Sequence, residues 1–170
     1  MARQLAAVDL PPPSPAEWRA AMGSFVTGVT VVTSWVDGAP FGSTVSAFAS
    51  VSLEPPLLLV CLDLKNPMCA AIPACGVFGV NILGQDGTEL ARRFAFTPEP
   101  ERFVGLDYGA VDAGAPQIAA APVFIDCALH EAVTAGDHLV LVGRGLRTEV
   151  RESEPPLVYH RGKLHRLPPP

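Results

Sequence analysis

Between residues 28 and 150 the chain is a succession of runs rich in β-branched and aliphatic residues, and most breaks between them are too short for a crossover helix. That feature constrains the fold more than any other. Parallel neighbours need a connection of a dozen or more residues. Here Asp37-Gly38 returns the run at 28–35 as a hairpin through Phe41, and Ala135-Gly136-Asp137-His138 joins two long runs at 123–133 and 139–150. Further strands are expected at 57–62, at 77–83 and, around Arg161-Gly162, at 157–159 and 164–167. Roughly six to eight strands joined mainly by hairpins argue against a doubly wound parallel sheet. A mainly β, antiparallel barrel with a few short helices packed outside fits best.

Those helices have local start signals. Ser14-Pro15-Ala16-Glu17 places Ser at the N-cap, Pro at the first position and Glu at the third, a capping box for a helix running to about Phe25. Asn66-Pro67 opens a second helix that ends by Cys75-Gly76, residues 88–94 form a third, and Thr97-Pro98-Glu99 caps one more turn. Residues 103–121 are rich in Gly, Ala and Pro and read as a long surface loop, a candidate lid on composition alone. Proline triplets at 11–13 and 168–170 mark 1–13 and 168–170 as disordered tails around one domain at 14–167.

Composition removes several function classes. With 49% apolar and 17% charged residues the chain cannot be a solvated, disordered one. Its net charge is −5 and its twelve basic residues are scattered along the sequence, a poor footprint for nucleic acid. The longest uninterrupted apolar stretch runs only from Leu57 to Leu62 before Asp63, whereas a membrane span needs roughly 20 residues. The opening MARQLAAVDLPPP has no sustained apolar stretch of the kind a secretion signal carries, so a cytoplasmic location is expected. Four cysteines without a CxxC, and without a histidine at zinc-ligand spacing, suggest neither a disulfide scaffold nor a structural metal. Phosphate-binding, dinucleotide, nucleophile-elbow and zinc-protease motifs are all missing.

Two segments stand out for chemistry. Residues 42–52 crowd Ser43, Thr44, Ser46, Ser50 and Ser52 among small residues before a buried strand. Small side chains let backbone amides approach a ligand, and hydroxyls bond phosphate or ring carbonyls; the alternative is a strand with a polar outer face. Gly136-Asp137-His138 is either a plain turn or an oriented imidazole.

The string RAAMGSFVTGVTVVTSWVDGAPFGSTVSAFASVSLEPPLLLVCL resembles the opening of the flavin reductase family with an FMN-binding split-barrel fold. The likeness continues through VFGVNILG, ARRFA, ERF, AGDHLVLVGRG and PLVYHRGKLHR, so it spans about residues 17–166 in the family's order. It implies a homodimeric NAD(P)H:flavin oxidoreductase that reduces free FMN or FAD, bound non-covalently, with NADH or NADPH as hydride donor. The reduced flavin passes to a separate monooxygenase. The resemblance puts Thr44, Ser46, Ala47, Ser50, Val51 and Ser52 on the flavin-contacting strand and turn. It puts Asp63, Lys65 and Asn66 near the flavin phosphate, Asn81 and Gly84 beside the ring system, His138 on the nicotinamide, and Arg93, Phe94 and Tyr159 around the same cleft. Ser46-Ala47 replaces an Asn-Ser pair common in the family, which removes an amide donor. The same fold also admits an oxidoreductase with tightly held FMN acting on another substrate, or a flavin binder without turnover.

Overall fold

The computed structural model describes residues 11–112, 114–151 and 154–167. Most of both expected tails, together with Ala113 and Glu152-Ser153, lie outside the described residues. The elements run α1 (Pro15–Gly23), β1 (Thr27–Gly28), β2 (Thr30–Val36), β3 (Ala39–Val45), β4 (Phe48–Ser52), β5 (Leu57–Asp63), α2 (Met68–Cys75) and β6 (Val77–Ile82). There follow α3 (Thr88–Phe96), a 3-10 turn (Glu101–Phe103), β7 (Tyr108–Gly109), β8 (Gln117–Ile118), β9 (Val123–Ala135), β10 (His138–Val150), β11 (Leu157–His160) and β12 (Lys163–Arg166). None of these helices is long and apolar enough to cross a membrane.

Seven strands form one antiparallel sheet in the order β3-β2-β6-β9-β10-β5-β4. Its two edge strands, β3 and β4, are consecutive in the chain and separated only by Ser46 and Ala47. A short link between opposite edges forces the sheet to curl until those edges approach at that point. They share no ladder, so the sheet stays open there. The expected mainly β antiparallel fold with short outer helices is therefore present, while a closed barrel is not.

Burial explains the sequence pattern. β5 alternates, with Leu58, Val60 and Leu62 turned inward among Phe78, Leu139, Leu141 and Cys127. β2 is instead buried along most of its length, because Val32 faces that inner core while Val31 faces a second one containing Leu83, Phe94, Phe103, Ile118 and Leu157. A strand covered on both faces reads as a continuous β-branched run. Burial pushes the Cys127 thiol up to about 12, with the nearby Asp126 charge acting in the same sense.

Residues 104–112 are mostly exposed, as expected of a surface loop, but 114–121 depart from that expectation. Thr33 Oγ1 donates to Pro116 O at 2.5 Å, Trp35 Nε1 to Gly114 O at 2.9 Å, and Ala115 N to Asp126 Oδ1 at 3.1 Å. Ala115, Ile118 and Ala121 are buried. Residues 114–118 are thereby stapled to the main sheet. Their anchors sit on other strands, and the buried residues Phe103, Ala115, Ile118 and Ala121 are irregularly spaced, so no periodicity announced them.

Candidate functional site

The site is built where α3 leans on β3. Gly42 makes the approach possible: a Cβ there would stand 2.6 Å from the Phe94 ring. Thr44 Oγ1 then donates to Ala91 O at 2.6 Å and ties the helix to the strand. With Phe94 buried beneath, α3 presents Thr88, Arg92, Ala95 and Phe96 to a cleft. This follows the helical period, in which residues three or four apart share a face. The opposite wall is the β11–β12 hairpin, whose turn places Arg161 (φ 49°) and Gly162 (φ 78°) in the left-handed region and projects Tyr159, Lys163 and Leu164 inward.

The cleft has two lobes that share Ser46, Tyr159 and Gly162. The first, about 620 Å³, holds Arg92 and Lys163; the second, about 830 Å³, adds the C-terminal half of α1 with Arg19, together with Arg161. Arg161 N donates to Gly23 O at 3.0 Å and seats the helix end against the hairpin turn. Four basic residues thus line the cleft and, among the described residues, no carboxylate does. Arg92 has one loose exposed partner, Glu89 at 3.7 Å, a contact worth little in water. A concave, cation-lined, acid-free surface attracts phosphate.

A second cluster sits at the end of β5. His138 pairs in register with Asp63, and its Nδ1 lies 2.7 Å from Asp137 Oδ1. Lys65 N donates to Asp63 Oδ1 at 2.8 Å, Leu64 N to Asp137 O at 3.0 Å, and Met68 N to Asn66 Oδ1 at 3.0 Å just before α2. The hydrogen bond and charge of His138 hold the Asp137 carboxyl below its ordinary value, with a smaller contribution from Lys65. The link from this cluster to the cleft is Ala47, whose carbonyl accepts from Cys61 N, two residues before Asp63.

The structure therefore brings Thr44, Ser46 and Tyr159 together in the cleft, and Asp63, Lys65, Asn66 and His138 together beside it. Ala47, Ser50 and Val51 lie exposed, and Ser52 half-buried, along the edge strand and the turn before it, outside both lobes. Four of the expected residues lie outside this cleft. Asn81 is fully buried: its Nδ2 donates to Val31 O and Thr33 Oγ1, and its Oδ1 accepts from Ile118 N, so its amide is spent on holding the 115–118 segment. Phe94 is buried behind α3. Arg93 points away and donates to Glu101 O at 3.1 Å and to Val104 O. Gly84 bridges Pro156 outside the cleft. Sequence reasoning missed Arg19, Arg92, Phe96, Arg161 and Lys163; the available signal was the Arg-Gly turn between two short strands and the four-residue spacing on α3.

Residues 22–168 match the family model described as a flavin reductase like domain. The reductase subunit HsaB of a flavin-dependent monooxygenase from Rhodococcus jostii is 37% identical over 156 residues, 91% of this chain and 79% of that protein. The reductase component of a 4-nitrophenol 4-monooxygenase/4-nitrocatechol 2-monooxygenase from Rhodococcus opacus is 36% identical over 160 residues, covering 94% and 85%. Among solved structures, the NADH:FAD oxidoreductase of Streptomyces globisporus in complex with NAD and FAD fragments superposes with a TM-score of 0.86 at 32% identity, over 94% of this chain and 96% of that one.

Proposed function

The chain belongs to the flavin reductase like family, and on that premise we propose that it is an NAD(P)H:flavin oxidoreductase whose reduced FMN or FAD passes to a separate monooxygenase. The observation that carries this reading is the cleft between α3, the end of β3 and the β11–β12 hairpin. It offers four cations, no acid among the described residues, and hydroxyls from Thr44, Ser46 and Tyr159. That donor set fits a flavin nucleotide, with basic groups for phosphate and hydroxyls for ribityl or ring oxygens.

Once bound, flavin and nicotinamide supply the hydride chemistry themselves. The chain's own part is to hold and orient them and to keep water away. Arg92 and Lys163 would take nucleotide phosphate, Ser46 and Tyr159 the flavin's polar edge. His138, held at Nδ1 by Asp137, would present Nε2 to the nicotinamide carboxamide or diphosphate. Loose retention suits a product that must leave, and open lobes support it. We read the curled sheet as the split barrel of the family and residues 14–167 as one domain.

A homodimer completes the reading. α1 buries none of its residues, and Trp18, Met22 and Phe25 stand exposed on and beside it. A nine-residue helix is marginal alone, so a second copy covering it is the natural source of its stability. The names of the relatives support the monooxygenase partner.

The test is oxidation of NADH or NADPH by the purified protein with and without added FMN or FAD. Turnover that depends on added flavin supports the reading. Flavin retained through extensive dialysis and turnover without addition would assign a prosthetic FMN instead, and flavin binding without nicotinamide oxidation would assign a carrier.

A further inference from the structure

We propose that Arg92 and Phe96 form an adenylate subsite, with Phe96 stacking the purine and Arg92 meeting the phosphate of a dinucleotide. The proposal rests on reading the cleft as the nucleotide site. Arg92 and Phe96 are four residues apart on α3, so they stand on one face about one turn, roughly 5.4 Å, apart. That spacing suits a phosphate and a base joined through a ribose. Phe96 is 81% exposed although it lines the cleft, while its neighbour Phe94 is fully buried.

A single exposed aromatic is ordinary. Three further observations make this one a platform. The helix is fixed through its last turn: Thr97 N donates to Arg93 O at 3.0 Å, and Arg102 Nε donates to Thr97 O at 2.7 Å. Phe96 is therefore presented from a rigid element. It shares the cleft with two cations, Arg92 and Lys163, and no carboxylate lines that lobe among the described residues. Ala91 and Ala95, on the same face, leave room for a flat ring to lie against the helix. FMN ends at its phosphate and has no second ring for Phe96, whereas FAD carries an adenylate, as does NAD(P)H. Base stacking on an aromatic is worth about 1–3 kcal/mol, which converts to roughly 5- to 150-fold in affinity.

The experiment is calorimetric binding of 5′-AMP, FAD and FMN to wild type, Phe96→Ala, Phe96→Leu and Phe96→Trp, with KM for NADH measured using FMN as acceptor. Phe96→Ala should weaken 5′-AMP by about 5- to 150-fold, Phe96→Leu should recover little, and Phe96→Trp should restore binding. A fall in the FAD-over-FMN preference assigns the adenine to the flavin. An intact preference with a raised KM for NADH assigns it to the donor, and either outcome upholds the subsite. Loss of FMN affinity as large as that of FAD and 5′-AMP, no change in any ligand, or a Phe96→Ala protein that sediments as a smaller species than wild type overturns it. If wild type oxidises neither NADH nor NADPH with either flavin, the enzymatic reading fails while 5′-AMP binding still decides the subsite.

Discussion

Gly42→Ala tests whether the close approach of α3 to β3 sets the geometry of the cleft. The added Cβ would lie 2.6 and 2.8 Å from two ring carbons of Phe94 and 3.4 Å from Phe103. Neither ring can swing clear: Phe94 is fully buried and packs edge-on against Phe103 at 5.0 Å between centroids. The strand cannot retreat either, because Arg102 Nη1 donates to Gly42 O at 2.6 Å. The helix must move. Overpacking of this kind costs about 1–3 kcal/mol, and each kcal/mol shifts Tm by about 2–4 °C in a domain of this size, so a fall of roughly 2–12 °C is expected.

The same displacement moves Arg92 and Phe96, so flavin affinity should fall as well. Unfolding cannot account for that fall: a loss of about 1–3 kcal/mol from the usual 5–15 leaves the protein folded at assay temperature. Urea unfolding and flavin titration on the same preparation separate the two effects. In Gly42→Ala/Phe94→Leu the smaller side chain relieves the contact, so the double variant should lose less stability than the two single losses added together. A Gly42→Ala protein within about 0.5 kcal/mol of wild type, with wild-type flavin affinity, would refute the argument that this contact positions the cleft.

Asn81→Ala should lower the urea midpoint by the equivalent of about 1–3 kcal/mol with the slope unchanged, because it leaves the buried Ile118 N–H without its acceptor. Flavin affinity should hold; a larger loss in flavin binding than in stability would return Asn81 to the ligand site. His138→Ala should reduce kcat/KM for NADH about 5- to 150-fold, on the strength of one or two hydrogen bonds, while flavin affinity changes little. The lowered Asp137 carboxyl gives a signed pH effect. A carboxyl whose folded value lies below its unfolded one contributes above the unfolded value, and the contribution fades as pH falls through the folded one. Asp137→Asn should therefore differ from wild type at neutral pH and converge on it in unfolding measurements below about pH 3.8; identical profiles throughout would show that the pair contributes nothing. Charge reversal at Lys163 should raise the flavin KM and flatten its dependence on salt, since screening acts on the attraction that the reversal removes; a salt-independent wild type would contradict a cationic cleft.

The fold was legible wherever one strand's own sequence states its burial. The β-branched run of β2, the alternation of β5 and the turns at Asp37-Gly38 and Gly136-Asp137 each carry their structural reason locally. The capping box of α1 does too, with Ser14 N donating to Glu17 Oε2 at 2.8 Å and Glu17 N to Ser14 Oγ at 3.3 Å. Residues 114–121 were illegible because their order is supplied from elsewhere. Thr33, Trp35, Asn81 and Asp126 hold them through backbone groups, which leave little mark on side-chain pattern.

The candidate site was legible in its hydroxyls and opaque in its charges, for a related reason. Thr44 and Ser46 stand in one small-residue segment, so a local reading finds them. Arg19, Arg92, Arg161 and Lys163 come from α1, α3 and the last hairpin, and in a chain of net charge −5 with scattered basic residues they form no pattern along the sequence. Only the fold gathers them. On α3 the sequence singles out a helix that lines the cleft, but residues on its other faces: Arg93 and Phe94 lie one and two places from Arg92 and Phe96, yet rotate to a carbonyl clamp and to the core. At about 100° per residue, a displacement of one or two positions moves a side chain from a cleft to the opposite side of its helix. A family motif carried over by position therefore identifies an element more securely than a contact. Contacts at this cleft have to be decided by which side chains α3 turns outward once Phe94 is driven against Gly42.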